Sequence, residues 1–241
     1  MDNDQPLIEP GKGIFRLNCS ERVIFLPAGP GARILSVRFG AKRKRQRPYP
    51  ARLYQLKRKG VGIDLVGPAM GAPIAGMVLE QLIAGGAKQV IMIGLGGSID
   101  YELRIGDLLL VKEAISDEGT SRCYPKGKDA PGASAWLFEE IKRELDEGDY
   151  KYKVGKALST DGIFQETRGK LSRFYQEGAL AVEMELSALY TIAWYRRIEL
   201  CGLLVISDEL FGEEWKGGFK SPKILLALIQ AGKIALSVLA R

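Results

Sequence analysis

Apolar residues along the 241-residue chain fall into short continuous runs that alternate with segments of helical spacing. A short continuous apolar run is typical of a strand buried on both faces, and apolar positions three or four apart are typical of an amphipathic helix. This pattern predicts strands at residues 22–26, 63–66, 90–93, 107–111, 152–158 and 203–206. It predicts helices near Ile34 and at residues 74–84, 136–145, 185–195 and 224–239.

The alternation of buried strands with helices favours one class of fold. It predicts an α/β protein, a single-domain three-layer sandwich in which a central mixed β-sheet is flanked by helices. Length alone allows one domain or two. The alternation resumes beyond the polar stretch at residues 121–133, which we interpret as a surface loop. Residues 1–241 are therefore predicted to form one domain.

Composition excludes several kinds of chemistry. Histidine is absent, which removes Ser-His-Asp hydrolysis, Cys-His catalysis and the commonest transition-metal ligand. Cys19, Cys123 and Cys201 lie too far apart in sequence for a disulfide framework or a zinc motif. We interpret all three as structural, with Cys201 in the core, and expect no metal ion and no organic cofactor.

Neither a membrane nor a secretion signal is expected. Residues 1–10 are acidic and polar, and no later segment has 18 uninterrupted apolar residues. With 46% hydrophobic and 27% charged residues, the composition is that of an ordinary soluble globular protein. The sequence therefore predicts a cytoplasmic location.

The net charge of +6 is concentrated in two basic runs, at residues 42–47 and 57–59. Such runs can bind nucleic acid. The first run lacks interleaved aromatic residues and no nucleic-acid-binding module surrounds it, so a solvated surface is favoured and a nucleic-acid partner is not expected. A third interpretation is attraction of phosphate or another anion to a nearby cleft.

Glycines and carboxylates follow the predicted strands at the ends where a doubly covered sheet binds its ligands. The segments are Gly94-Leu95-Gly96-Gly97-Ser98, Val182-Glu183-Met184-Glu185 and Ser207-Asp208-Glu209. We interpret the first as a loop whose backbone N–H groups approach an anion or a sugar, with a simple turn as the alternative.

Each carboxylate allows two interpretations. Glu183 and Glu185 are suited to accept hydrogen bonds from sugar hydroxyls, but they also fit a helix N-terminus, an alternative that is weaker for Glu185. Asp208 is expected to be a general acid whose pKa is raised by burial, with a helix N-cap as the alternative.

Together these segments resemble the nucleoside phosphorylase family, which includes hexameric purine nucleoside phosphorylases, uridine phosphorylases and methylthioadenosine nucleosidases. The other segments that carry the resemblance are Leu26-Pro27-Ala28-Gly29-Pro30-Gly31, Met70-Gly71-Ala72-Pro73, Gly106-Asp107-Leu108, Asp117-Glu118-Gly119-Thr120-Ser121 and Ser159-Thr160-Asp161. The resemblance implies phosphorolytic cleavage of the bond between base and ribose. It also implies inorganic phosphate as co-substrate and a homo-oligomer, a dimer or a hexamer, whose subunits complete each other's sites.

The resemblance also implies roles for individual residues. Asp208 matches the general acid that protonates or hydrogen-bonds the departing base. The implied ribose-binding residues are Glu183, Met184 and Glu185, and the implied base-binding residues are Phe164, Gln165 and Arg168. The implied phosphate-binding residues are Gly29, Arg33, Gly94, Leu95 and Gly96. For Gln165 and Arg168, an exposed helix start is an equal alternative.

Two positions depart from the family pattern. Phosphorylases carry an arginine and a serine or threonine where this chain has Met92 and Leu95. Either phosphate is held by Arg33, backbone amides and a basic side chain such as Lys216 or one from residues 42–47, or water attacks as in a nucleosidase. A catalytically silent nucleoside-binding subunit is a third option. The loop after the first strand lacks the glutamate with which nucleosidases activate water, so phosphorolysis is favoured, with purine and uridine-like bases both open.

Overall fold

The computed structural model describes residues 7–125 and 132–241. The strands are β1 Arg22–Phe25, β2 Lys42–Arg43, β3 Arg52–Arg58, β4 Val61–Gly67, β5 Gln89–Ser98, β6 Leu108–Asp117, β7 Tyr152–Thr160, β8 Ala179–Glu183, β9 Glu199–Glu209 and β10 Lys216–Gly217. The α-helices are α1 Gly31–Phe39, α2 Ala72–Ala84, α3 Ala135–Glu147, α4 Arg168–Gln176, α5 Leu186–Arg196 and α6 Pro222–Leu239.

Five of the strands close into a ring. β9 pairs with β5 in parallel and with β6 in antiparallel, β7 pairs in parallel with β6 and β8, and β8 pairs antiparallel with β5. From β5 the sheet continues through β1, β4, β3 and β2, and β10 pairs with β9. The predicted central mixed sheet flanked by helices is therefore confirmed, and the closed ring is a feature that the sequence did not predict.

Helices cover both faces of the sheet because its central strands are apolar on both sides. In β1, Val23 and Phe25 pack into one core cluster, whereas Ile24 packs into the other. The first cluster includes the buried faces of α2 and α5, and the second includes those of α1, α3 and α6. Two-sided burial explains why the strand pattern reads as continuous apolar runs rather than as alternation.

The predicted glycine loop after the third strand is wrong, because β5 continues through it to Ser98. An ideal Cβ at Gly96 would lie 3.1 Å from the backbone oxygen of Val182, and one at Gly97 would lie 2.9 Å from Asp208 Oδ2. Glycine here permits the close approach of β8 and β9 to β5, which is a recognised use of glycine inside a strand.

The other differences concern elements with weak apolar patterns. The predicted core strands and helices all form, with ends shifted by a few residues, whereas β3, β8, α4 and the two-residue β2 and β10 were not predicted. β2 falls inside the basic run interpreted as a solvated surface, and its residues are exposed. In the predicted loop at 121–133, a 3₁₀ turn spans Thr120–Cys123, and residues 126–131 lie outside the described residues, as do residues 1–6.

α6 is long and apolar enough to cross a membrane by length and composition. Its most apolar window is 56% buried, and the helix packs in the same core cluster as Ile24 and Leu35. The core helix of a soluble protein can have the same length and hydropathy.

Among the glycines of the described residues, Gly67, at the end of β4, has the least space for a side chain. Gly67→Ala is expected to lower the free energy of unfolding by about 3 kcal/mol or more. A Cβ there would lie 2.0 Å from the backbone oxygen of Leu26, and φ is +153°. Urea denaturation measures the change. The matched control is Gly169→Ala in α4, where a Cβ meets nothing within 4 Å and the helix gains up to about 1 kcal/mol. Equal stability of the two variants would contradict the packing described here.

Candidate active site

The carboxyl ends of β1, β4, β5 and β9 meet at one edge of the sheet, because these strands run parallel. Ligands of doubly covered sheets bind at this edge. β8 pairs antiparallel with β5 and sets Val182 opposite Gly97, so that Glu183 reaches the same region. Residues distant in sequence are thereby brought into one site.

Glu185 lies at the start of α5 and is only 4% exposed. Its Oε1 accepts a hydrogen bond of 2.6 Å from the backbone N–H of Gly71, in the loop between β4 and α2. Burial raises the pKa of this carboxyl, and the hydrogen bond from Gly71 opposes the rise. Half-buried Met184 precedes it. A buried carboxyl that keeps a perturbed pKa is typical of functional positions.

Glu183 has structural partners for both carboxylate oxygens. Oε2 accepts hydrogen bonds of 2.8 Å from the backbone N–H groups of Glu185 and Leu186, and Oε1 accepts one from the Ser159 hydroxyl. Burial, and then the neighbouring Glu185, raise its pKa. This carboxylate therefore caps α5, the helix-terminus alternative, while a direct ribose contact for Glu183 stays a prediction.

Asp208 lies inside β9, so it is not a helix N-cap. It is half-buried, less enclosed than expected. Its Oδ2 accepts a hydrogen bond of 2.9 Å from the indole N–H of Trp215, and its Oδ1 accepts one of 2.6 Å from the Ser207 hydroxyl. The register between β5 and β9 shifts after Gly96, which sets Gly97 opposite Asp208. These contacts fix the carboxylate at the edge of the ring.

The implied base-binding residues are on the surface of the single chain. Phe164 is 94% exposed, and Gln165 is also exposed. Arg168 is the first residue of α4, and its guanidinium donates to the backbone oxygen of Glu213. It also lines a cavity of about 370 Å³ together with Leu171 and residues 210–213. The helix-start alternative therefore describes Arg168, and base contacts by these three residues stay predictions.

Three arginines converge on a second cavity, of about 470 Å³. Its lining residues are Gly29, Pro30, Arg33, Arg47, Pro50, Arg52, Tyr54, Gly67 and Pro68. Gly29, whose φ is +50°, turns the chain into α1, and a helix N-terminus favours anions. Arg47 donates to the backbone oxygens of Pro50 and Ala51 at 3.1 and 3.2 Å, which fixes its guanidinium. The cavity is suited to an anion.

The arginine cavity and Glu185 are joined by one short loop. Pro68 lines the cavity and Gly71 donates to Glu185, so the Cα atoms of these two residues are at most about 11 Å apart. The loop between β4 and α2 therefore contacts both the cavity and Glu185.

Unpaired positive charge is concentrated in the segment that lines this cavity. Residues 22–63 contain twelve Lys and Arg residues and no Asp or Glu. Within the described ranges none of the twelve forms a salt bridge. The summed field of such a segment attracts anions. Lys216, the other option for holding phosphate, instead forms a salt bridge of 3.2 Å with Glu209.

The two departures from the family pattern have different surroundings. Met92 is fully buried in the core cluster that includes residues of all five ring strands, and its methyl group would lie 2.6 Å from a Cβ at Gly94. Leu95 is half-buried. Gly94 and Gly96 are buried strand residues rather than a phosphate-binding loop, so their implied phosphate contacts stay predictions.

The motif at residues 117–121 stabilises the elements that carry the site. Buried Glu118 accepts hydrogen bonds from the Ser116 and Ser187 hydroxyls and from the backbone N–H of Ser121. Burial alone would raise the pKa of its carboxyl, but these hydrogen bonds outweigh it and the pKa is lowered. Glu118 therefore joins the end of β6 to α5. Among the described residues no cluster of three or more Cys, Asp or Glu could hold a metal ion.

Sequence reasoning missed Arg52, Tyr54 and Trp215 and left Arg47 as one choice within a basic run. The absence of acids near that run was a usable signal for an anion site. No local pattern in the sequence indicated Trp215, because its hydrogen bond to Asp208 depends on the turn between β9 and β10.

The chain belongs to the phosphorylase superfamily, whose family model matches residues 23–239. The resemblance to nucleoside phosphorylases is thereby confirmed. A DeoD-type purine nucleoside phosphorylase from Bacillus cereus is 32% identical over 162 residues, which are 65% of this chain and 68% of the relative.

Solved structures agree in fold. A uridine phosphorylase from Vibrio fischeri in complex with 6-hydroxy-1-naphthoic acid has a TM-score of 0.82 at 24% identity, covering 96% of both chains. A purine nucleoside phosphorylase from Toxoplasma gondii in complex with immucillin-H also scores 0.82, at 21% identity, covering 98% of this chain and 97% of that one. An AMP nucleosidase from Bacteroides thetaiotaomicron scores 0.74 at 20% identity, covering 91% and 88%.

The capping role of Glu183 is testable. Glu183→Ala is expected to lower the free energy of unfolding by about 3 kcal/mol, because two backbone N–H groups and a hydroxyl lose their buried acceptor. Urea denaturation at neutral pH measures the loss. Glu177→Ala is the control, since Glu177 is exposed and pairs only loosely with Arg173 at 3.9 Å. A loss no greater than in this control would mean that Glu183 does not hold α5.

Proposed function

We propose that this protein is a nucleoside phosphorylase that cleaves the N-glycosidic bond of a purine or uridine-like nucleoside with inorganic phosphate. The observation that carries the proposal is the arginine cavity, which one short loop joins to buried Glu185. An anion site beside a sugar-binding carboxylate is what attack of phosphate on ribose requires.

In the proposed reaction, phosphate bound by Arg33, Arg47 and Arg52 attacks C1′ of the ribose. A C1′–O bond forms as the C1′–N bond breaks, and the bonding electron pair leaves with the base. Asp208 protonates or hydrogen-bonds the departing base, which stabilises the charge that develops on it. The products are the free base and ribose 1-phosphate.

Glu185 is proposed to hold the ribose hydroxyls. A carboxylate oxygen is a strong acceptor, and the bond from Gly71 already fixes one oxygen of Glu185. Half-buried Met184 supplies an apolar contact beside it. A rigidly held sugar supports an oxocarbenium-like transition state, because the reacting carbon stays aligned with the phosphate.

The distribution of acids favours phosphate over water as the nucleophile. Hydrolysis needs a base to activate water, and residues 22–63, which supply the two β3 residues and most of the loops around the cavity, contain no Asp or Glu. The second candidate, a nucleosidase, draws support from Met92 and Leu95, and the fold is shared with an AMP nucleosidase.

The site is open on its base side. Phe164 and Trp215 are 94% and 63% exposed, and exposed aromatic residues are typical of surfaces that another chain covers. We propose a cytoplasmic homo-oligomer, a dimer or a hexamer, in which a second copy closes this side.

Release of free base tests the function. Inosine, adenosine, guanosine, uridine and methylthioadenosine are incubated with the protein, each with and without inorganic phosphate, and base and sugar phosphate are separated by chromatography. We expect release that depends on phosphate and yields a sugar 1-phosphate. Equal release without phosphate would assign the nucleosidase, and no release from any nucleoside would assign a silent binder.

The arginine cavity is tested by substitution. Arg33→Ala and Arg52→Ala are each expected to raise KM for phosphate by about tenfold or more, because each removes a charge-assisted hydrogen bond. KM for the nucleoside is expected to change little. Arg38→Ala is the matched control, since Arg38 is exposed in the last turn of the same helix as Arg33 and does not line the cavity. An unchanged KM for phosphate in both cavity variants would remove the cavity from the mechanism.

A further inference from the structure

One carboxyl near Asp208 has no role in the mechanism above. Glu166 follows the 3₁₀ turn Ile163–Gln165 and precedes Thr167, the N-cap of α4. All its neighbours in residues 163–169 are exposed, and Glu166 alone is half-buried. Glu166 is therefore more enclosed than its neighbours in this segment.

Two contacts connect the segment that carries Glu166 to Asp208. Arg168 donates to the backbone oxygen of Glu213, which ties the start of α4 to the turn after β9. In the same turn Trp215 donates to Asp208. The segment that carries Glu166 and the strand that carries Asp208 are thus joined through residues 213–215.

The surroundings of Glu166 favour its neutral form. Burial, and then the charge of Asp208, raise its pKa to about 7, and Lys170 opposes the rise. Lys170 is already engaged by Asp117 at 2.5 Å and by the Thr160 hydroxyl at 3.3 Å. Within residues 7–125 and 132–241 the Glu166 carboxyl has no hydrogen-bond or salt-bridge partner, so it is available to a ligand.

We propose that Glu166 is a base-contacting residue which, as a neutral carboxyl beside Asp208, donates a hydrogen bond to the base and accepts one from it. The inference rests on the proposed function and names the group that selects the base. None of the sequence motifs assigned a role to Glu166.

The chemistry follows from the two acids together. Two carboxylates side by side repel each other, so the pair tends to keep one proton. A neutral carboxyl offers one donor and one acceptor, which complements a base edge with an acceptor beside a donor, as in a 6-oxopurine. A base that lacks the donor leaves the carboxyl oxygen unpaired and is bound less tightly. The proton that the pair shares is on Glu166 when the base binds and passes to Asp208 as the base departs, so that Asp208 can donate to the ring nitrogen.

The test compares wild type with Glu166→Gln, which keeps a donor and an acceptor but does not titrate. In wild type, KM for inosine is expected to rise about tenfold from pH 6 to pH 8, since ionisation removes the donor. In Glu166→Gln it is expected to stay nearly constant. Glu177→Gln, the same change at the exposed far end of α4, is the control and is expected to behave as wild type.

A second variant tests the contact itself. Glu166→Ala is expected to weaken kcat/KM for inosine about tenfold more than for purine riboside, whose base lacks the donor and the carbonyl. Equal losses for the two nucleosides, or the same pH dependence in wild type and Glu166→Gln, would overturn the inference while leaving the phosphorylase intact.

Calorimetric binding of hypoxanthine at pH 6 and pH 8 separates the two proposals. If no nucleoside is cleaved but hypoxanthine binds wild type about tenfold more weakly at pH 8, with no such change in Glu166→Gln, the inference stands and the proposed function fails. Wild-type protein that cleaves none of the five nucleosides and does not bind hypoxanthine overturns both.

Discussion

The close approach of three strands to β5 is the constraint on which the rest of the site depends. β5 pairs with β1 over its first four residues, with β9 along its whole length and with β8 at its end. Gly94, Gly96 and Gly97 present no side chain to β8 and β9, which permits the last two pairings. This crowding closes the five-stranded ring. It also sets the carboxylate of Asp208 against Gly97 and brings Glu183 and Glu185 to the same edge. A strand with ordinary side chains at these positions would hold its neighbours farther away and separate the groups that the proposed reaction needs together.

The buried carboxylates at this edge divide into supports and functional groups by what they contact. Glu118 and Glu183 have their oxygens occupied by hydroxyls and backbone N–H groups, so each joins elements of the ring to α5. Hydrogen bonds lower the pKa of Glu118, so the stability it contributes is present above its usual pKa and is lost as pH falls. Burial raises the pKa of Glu185, so the stability linked to it is present below pH 4.5 and is lost as pH rises towards 7. Burial also raises the pKa of Glu183, so the contacts of the two carboxyls, and not the pKa shift, separate the support from the candidate binding group.

The core of the fold was predictable from the sequence, whereas much of the site depends on contacts that no local pattern records. Strands such as β1 and β9 are apolar on both faces, and that pattern is specific to the centre of a covered sheet. β8 has only five residues, and its place in the ring depends on pairing with β5 some eighty residues earlier. Arg52 lies on a half-exposed hairpin strand and meets Arg33 only through the packing of that hairpin beside α1. The implied roles of Asp208 and Glu185 came from family motifs, while the unpartnered, half-buried position of Glu166 is visible only once the turn after β9 is in place.

Charge along the chain is arranged in the order of the proposed reaction. Among charged residues, the stretch 22–63 has only Lys and Arg and lines the arginine cavity, whereas the segments after β7 supply the carboxyls of Glu166, Glu185 and Asp208. An anionic nucleophile is attracted by the first region and repelled by the second. In the proposed reaction, phosphate is therefore directed to one side of the ribose, while carboxyls face its hydroxyls and the departing base. In the same proposal, Arg47 and Arg52 take the place of the arginine expected at Met92, and because both are exposed they carry no cost of burial.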